Sequence, residues 1–262
     1  MAHDSILALN AQRRDVLDYC AELTDEQWNT RSRAAGWRVR DVIAHMGASC
    51  RVLFSPSVIQ VMRSKDIEAT NEDMVDPRRN WSNGRVLADF ARWSGIAAVA
   101  FEVATRGPLG EITLPLGAIG RYPARVLPCA LVFDWHTHLH YDIAPALGKP
   151  VPPTDERRLR ATLEWMLAGM EQMNQAQMRW VDRPITLTLT GLAGGSWQIR
   201  PSGNGRLSVM PGSSTDSAAC IEGASVDFPG WATRRDGWRD SDLAVTGDRD
   251  YAARFLDALN II

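Results

Sequence analysis

Residues 127–148, LPCALVFDWHTHLHYDIAPALG, set three of the chain's five histidines between two aspartates, behind an apolar run. Imidazole nitrogens and carboxylate oxygens can hold a divalent ion while leaving coordination positions for water or substrate. On a helix, residues four apart share a face, so this stretch offers two chelating pairs. Asp134 and His138 form one, and a helical wheel groups them with Leu127, Ala130, Leu131 and Tyr141 on an apolar stripe. His136 and His140 form the other, on roughly the opposite side with Cys129 and Phe133. Both pairs have the reach to hold one ion, and spacing alone does not choose. An aspartate on an apolar face needs a compensating partner; this favours Asp134 with His138 and expects His136 and His140 at the boundary or in solvent. His45, on a neighbouring antiparallel helix, is the natural third donor, since bundle cores commonly house such sites. The plainer readings are a structural Asp134–His138 hydrogen bond and a satisfied core histidine at 45.

These donors need helices to position them. Ile6, Leu7, Leu9, Val16, Leu17 and Cys20 give a first helical stripe, and Thr24 followed by Gln27 resembles a capping box ahead of a short turn closed by Trp28. A second long helix opens after Gly36, carries Val39, Val42, Ile43, His45, Met46 and Leu53, and ends near Ser55 and Pro56. Residues 57–80 are charged and read as irregular, with DPRRN as a turn. A third helix begins near Ser82 and runs for about 24 residues, enough to cross a bundle. RGPLGEITLPLGAIGRYP reads as a long loop with room for a short hairpin, serving either as a functional lid or as an excursion over the bundle end. The fourth helix carries the histidine stretch to Tyr141 or a turn beyond and is terminated by Pro145 and Gly148. A rigid connector, GKPVPPTD, leads to a fifth helix, DERRLRATLEWMLAGMEQM, whose methionines suit plastic core packing. At Pro184 the period becomes alternating: ITLTLTG reads as a half-buried strand, further short strands follow, and Asp248 caps a final helix. The pattern divides the chain into a helical bundle over residues 1–180 and a small α/β domain over 184–262.

At 262 residues and 29.0 kDa, with a formal charge of -2, the chain can bury a core but presents no field for nucleic acid or an anionic membrane. No run of about 18 apolar residues is present to span a bilayer, and the N-terminus lacks the basic head and apolar run of a signal peptide. A soluble, cytoplasmic protein is expected. The four cysteines are far apart with no CxxC pair, which fits reduced, mostly buried thiols. Most of the ten tryptophans are expected in the core.

The pairing of GWRVRDVIAHM with a later D-x3-H and then DIAPALG resembles the DinB-like metal-binding superfamily and, within it, the mycothiol-dependent maleylpyruvate isomerase family of actinobacteria. DFPGWATRR and DLAVTGDRDYAARFLDAL resemble that family's C-terminal domain, so the likeness spans nearly the whole chain. It implies a mainly α fold: a DinB-like four-helix bundle with a small C-terminal α/β, sterol-carrier-like domain. It also implies a divalent metal, zinc in the best-known member, held by His45, Asp134 and His138, and mycothiol as the activated thiol. There is one departure. Family members place the second histidine three residues before the aspartate of a D-I-x-x-x-L-G segment, whereas His138 lies four before Asp142 and Leu139 takes the expected position. The extra residue keeps a shifted site on His136 and His140 open.

The function implied is thiol-linked isomerase or transferase chemistry on a small anionic substrate. Arg234 and Arg235 are candidates for holding that substrate because a guanidinium fork matches a carboxylate, although surface arginines are the plainer reading. The expected partners are a small-molecule substrate and a low-molecular-weight thiol, with no nucleic acid or membrane, for a monomer or homodimer. A competing reading from another class is a non-catalytic protein whose metal is structural or absent and whose C-terminal domain holds a lipid-like ligand.

Overall fold

Helical spacing in the first part of the chain is realised as four long helices. In this computed structural model, which describes residues 2–203 and 205–262, they are Ala2–Ala21 (α1), Val39–Val52, Asn83–Ala104 and Leu127–Thr137. Between the first two lies α2 (Asp25–Asn29), which starts with the expected capping box. Thr24 Oγ1 accepts from the Gln27 amide at 3.3 Å and Gln27 Oε1 accepts from the Thr24 amide at 3.0 Å.

The second long helix, α3 (Val39–Val52), is followed by α4 (Val58–Arg63) and α5 (Ile67–Val75), where an irregular segment was expected. The physical reason is shallow packing. No residue of α4 is buried and α5 buries only Thr70 and Val75, so neither helix carries an apolar stripe for the sequence to display. Asp66 fixes the start of α5, its Oδ1 accepting from the Ala69 amide at 3.1 Å.

Helix α6 (Asn83–Ala104) opens on Ser82, whose hydroxyl accepts from the Arg85 amide. It packs closely on α3: a Cβ at Gly47 would stand 3.1 Å from the Phe90 backbone, so glycine sets how near the two helices come. The Gly- and Pro-rich segment after α6 contains a short antiparallel hairpin, β1 (Thr113–Pro115) with β2 (Arg121–Pro123). Helix α7 (Leu127–Thr137) then runs into a π-helical turn, His138–Ile143, and a last turn, α8 (Ala144–Leu147). Pro145 does not stop the helix. It sits in the first turn of α8, where a missing N–H is tolerated. Gly148, left-handed at φ 59°, closes the run. Helices α1, α3, α6 and α7 pack around Val42, Ile43, Met46, Phe90, Val132 and Trp135, all fully buried.

This first unit ends at Thr154 and the second spans Asp155–Ile262. The second begins with α9 (Glu156–Met173), capped by Asp155. It continues through β3 (Ile185–Thr190), β4 (Gly195–Pro201), β5 (Leu207–Pro211), β6 (Ala219–Ala224), α10 (Phe228–Ala232), β7 (Ala244–Gly247) and α11 (Arg249–Ala258). Sheet order is β5-β4-β3-β6-β7, with β3 antiparallel to β4 and parallel to β6. Ile185, Leu187 and Leu189 are buried, as their alternation requires, and Asp248 caps α11. The change of period at Pro184 marks the sheet. The compact unit begins earlier because α9 packs on β5, with Glu171 Oε1 accepting from the Val209 amide at 2.6 Å. Among the described residues no helix is long and apolar enough to cross a membrane.

Candidate metal centre

The start of α3 is set by Arg38 and Asp41. The Asp41 carboxylate accepts from the Arg38 amide at 3.0 Å and is gripped by its guanidinium at 3.0 and 3.2 Å. One turn further on, His45 is buried at 4% exposure and faces the junction of α7 with the π turn. His45 Nε2 lies 3.2 Å from Asp134 Oδ1, and His138 Nε2 lies 3.5 Å from the same oxygen. One donor atom from each of the three residues falls within 4.8 Å of the others.

Donors about 2.1 Å from a common ion stand roughly 3.0–3.4 Å apart, close to the two separations from Asp134 Oδ1, and the shorter of these also serves as a His45–Asp134 hydrogen bond. Among the described residues His45 Nδ1 is buried without a hydrogen-bond partner, while its Nε2 points to the shared oxygen. Two imidazoles and one carboxylate therefore fit a divalent ion with further positions to fill.

His138 is braced from behind. Its Nδ1 lies 2.7 Å from Asp142 Oδ2, and Asp142 is buried. A carboxylate there accepts a hydrogen bond from Nδ1–H and leaves the Nε2 lone pair facing Asp134, the arrangement that orients metal-binding histidines. The extra residue between His138 and Asp142 falls inside the π turn His138–Ile143. A π turn is how a helix absorbs one additional residue, so His138 keeps both its Asp134 neighbour and its Asp142 brace. Trp37 walls the site, its ring centroid 5.1 Å from His45 and 6.4 Å from His138, with its Nε1 donating to Glu72 at 2.6 Å. Sequence reasoning gave Trp37, Glu72 and Asp142 no role. Asp142 carried a signal, the four-residue spacing from His138.

His136 departs from expectation, while His140 lies at the boundary as expected. They stack at a centroid distance of 4.0 Å, but His136 is only 2% exposed, more buried than His138 at 8%. Helix α7 is enclosed by α1 and α6 and buries nearly its whole circumference, so no side of it is a solvent side. Burial, with His140 alongside, holds the His136 imidazole well below its ordinary value, and burial lowers His140 to about 4. The Asp134 side chain is a quarter exposed.

In the second unit, Arg234 adopts a positive φ of 60° and donates to the carbonyls of Leu259 at 2.9 Å and Asp257 at 2.7 Å. Arg235 is half-buried, with its amide donating to Gly230 O at 3.0 Å. Cys20, Cys50 and Cys129 are buried, and burial pushes the Cys20 thiol up to about 12 and the Cys50 thiol up as well.

A four-helix bundle gathering two histidines and a carboxylate, followed by a small mixed-sheet unit, is a DinB-like bundle fold. Residues 9–107 match the family model described as the mycothiol maleylpyruvate isomerase N-terminal domain. A crystal structure of the mycothiol-dependent maleylpyruvate isomerase shares the fold with a TM-score of 0.58 at 12% sequence identity, over 94% of this chain and 93% of that one. A histidine-to-alanine mutant of that enzyme matches to the same extent. No curated protein matches the chain by sequence.

Proposed function

We propose that this chain is a cytoplasmic, metal-dependent enzyme that works with a low-molecular-weight thiol, as an isomerase or transferase of a small anionic substrate. The observation that carries this reading is the convergence of His45, Asp134 and His138 at one point in the bundle. They are the proposed ligands, with zinc as the ion and mycothiol as the thiol that the family name supplies. An ion so held lowers the pKa of a bound thiol or water and polarises a carbonyl.

The chain's own residues do the positioning. Asp142 holds His138 in one tautomer through Nδ1. Trp37, anchored on Glu72, covers His45 and His138 on one side and keeps water from that face. The buried Cys20 and Cys50 thiols are held protonated at neutral pH, which supports an external thiol as the nucleophile. Arg234 and Arg235 remain the second unit's candidates for an anionic substrate group. Arg234 is engaged with the carbonyls of Leu259 and Asp257.

The test is a coupled absorbance assay of maleylpyruvate isomerisation by the purified, metal-loaded chain with and without mycothiol. The expected result is turnover that requires both thiol and metal and falls by roughly a hundredfold or more in His45→Ala. Turnover undiminished without thiol, or in His45→Ala, contradicts the proposal.

A further inference from the structure

Beside the triad the bundle unit holds a cavity of about 510 Å³, walled by the loop ahead of α3 together with Asp41 and Arg79. Three guanidiniums line it, those of Arg31, Arg38 and Arg79, and they are not equivalent. Arg38 is forked onto Asp41 at 3.0 and 3.2 Å. Arg79 holds Asp76 at 2.7 Å, is paired with Glu72 and reaches to 3.8 Å from Asp41. Arg31 is exposed to the cavity mouth and, among the described residues, its side chain has no hydrogen-bond or ion-pair partner. Trp37 both lines this cavity and packs against His45 and His138.

We propose that the cavity is a binding site for a small molecule with one carboxylate on a flat, unsaturated body: Arg31 takes the carboxylate and Trp37 the body. One uncommitted guanidinium matches the charge and the two oxygens of one carboxylate. A phosphate dianion needs a second free cation, and both other arginines are already neutralised by Asp41, Glu72 and Asp76. The indole gives a planar apolar face, and its fixed contact with the triad histidines sets the bound molecule beside the candidate metal centre. That this ligand is the substrate rests on the function proposed above; that the cavity binds a carboxylate does not.

Isothermal titration of the full chain with benzoate, and with benzamide as its neutral counterpart, tests the site. The expected result is saturable binding of benzoate and none of benzamide. Arg31→Gln raises the benzoate Kd by roughly tenfold or more, and Arg31→Lys falls between the two because it keeps the charge and loses the fork. Benzoate binding is unchanged after the chain is treated with a chelator, which separates this site from the metal reading. Absence of benzoate binding, equal binding of benzamide, an unchanged Kd in Arg31→Gln or loss of binding on treatment with a chelator each overturns the proposal.

Discussion

At the scale of single residues, the brace behind His138 matters as much as the donors. Asp142 sits 2.7 Å from Nδ1 in a buried position, so removing it leaves that nitrogen without its acceptor and frees the ring to turn. Asp142→Ala is expected to weaken metal affinity by roughly 10–100-fold, while Asp142→Asn, which keeps an acceptor oxygen, retains most of it. Competition against a chromogenic chelator measures both, and an Asp142→Ala chain that holds metal as tightly as the parent contradicts the role. The triad was legible because Asp134 and His138 share a helical face and His45 lies on a helix with its own apolar stripe. Trp37 and Glu72 were not, because a contact between residues 35 apart in sequence leaves no trace in local spacing.

At the scale of elements, the π turn decides which histidines face the bundle centre. An α-helix continued through His138 would carry the extra residue as a rotation of everything beyond it; the π turn confines it to residues 138–143. The stacked His136–His140 pair on the enclosed flank of α7 has a different consequence. Both imidazoles are held below their ordinary value, His140 to about 4, so the folded chain keeps them neutral where the unfolded chain takes up protons. Stability from this source is intact above about pH 6.5 and declines as pH falls through the window down to about pH 4. For His140 the loss between pH 7 and pH 5 is on the order of 2 kcal/mol. Urea denaturation at the two pH values is expected to show it, with a shallower pH slope in His140→Leu; equal slopes rule it out. Sequence spacing found the long helices because each buries a stripe. It missed α4 and α5, which bury almost nothing, and the enclosure of α7, which depends on which helices surround it.

At the scale of the whole molecule, the mainly helical first part and the later sheet were legible from one change of hydrophobic period at Pro184. The start of the second unit at Asp155 was not. Helix α9 has the same amphipathic period whether it packs on a bundle or on β5, and only the tertiary contacts with β5 and with the Val209 amide decide. The family likeness at residues 9–107 covers α3 with His45, and the partners of His45 come from beyond that region, at Asp134 and His138. Three donors from distant parts of the chain therefore form one centre only when the bundle is folded, and an ion bound there stabilises the fold by linkage. Metal content after gentle purification tests this most directly. The account predicts one tightly bound divalent ion per chain, zinc foremost, lost in His45→Ala and in Asp134→Ala, with a chelator lowering the Tm of the parent chain alone. A parent chain that carries no metal and whose Tm does not respond to chelator contradicts it.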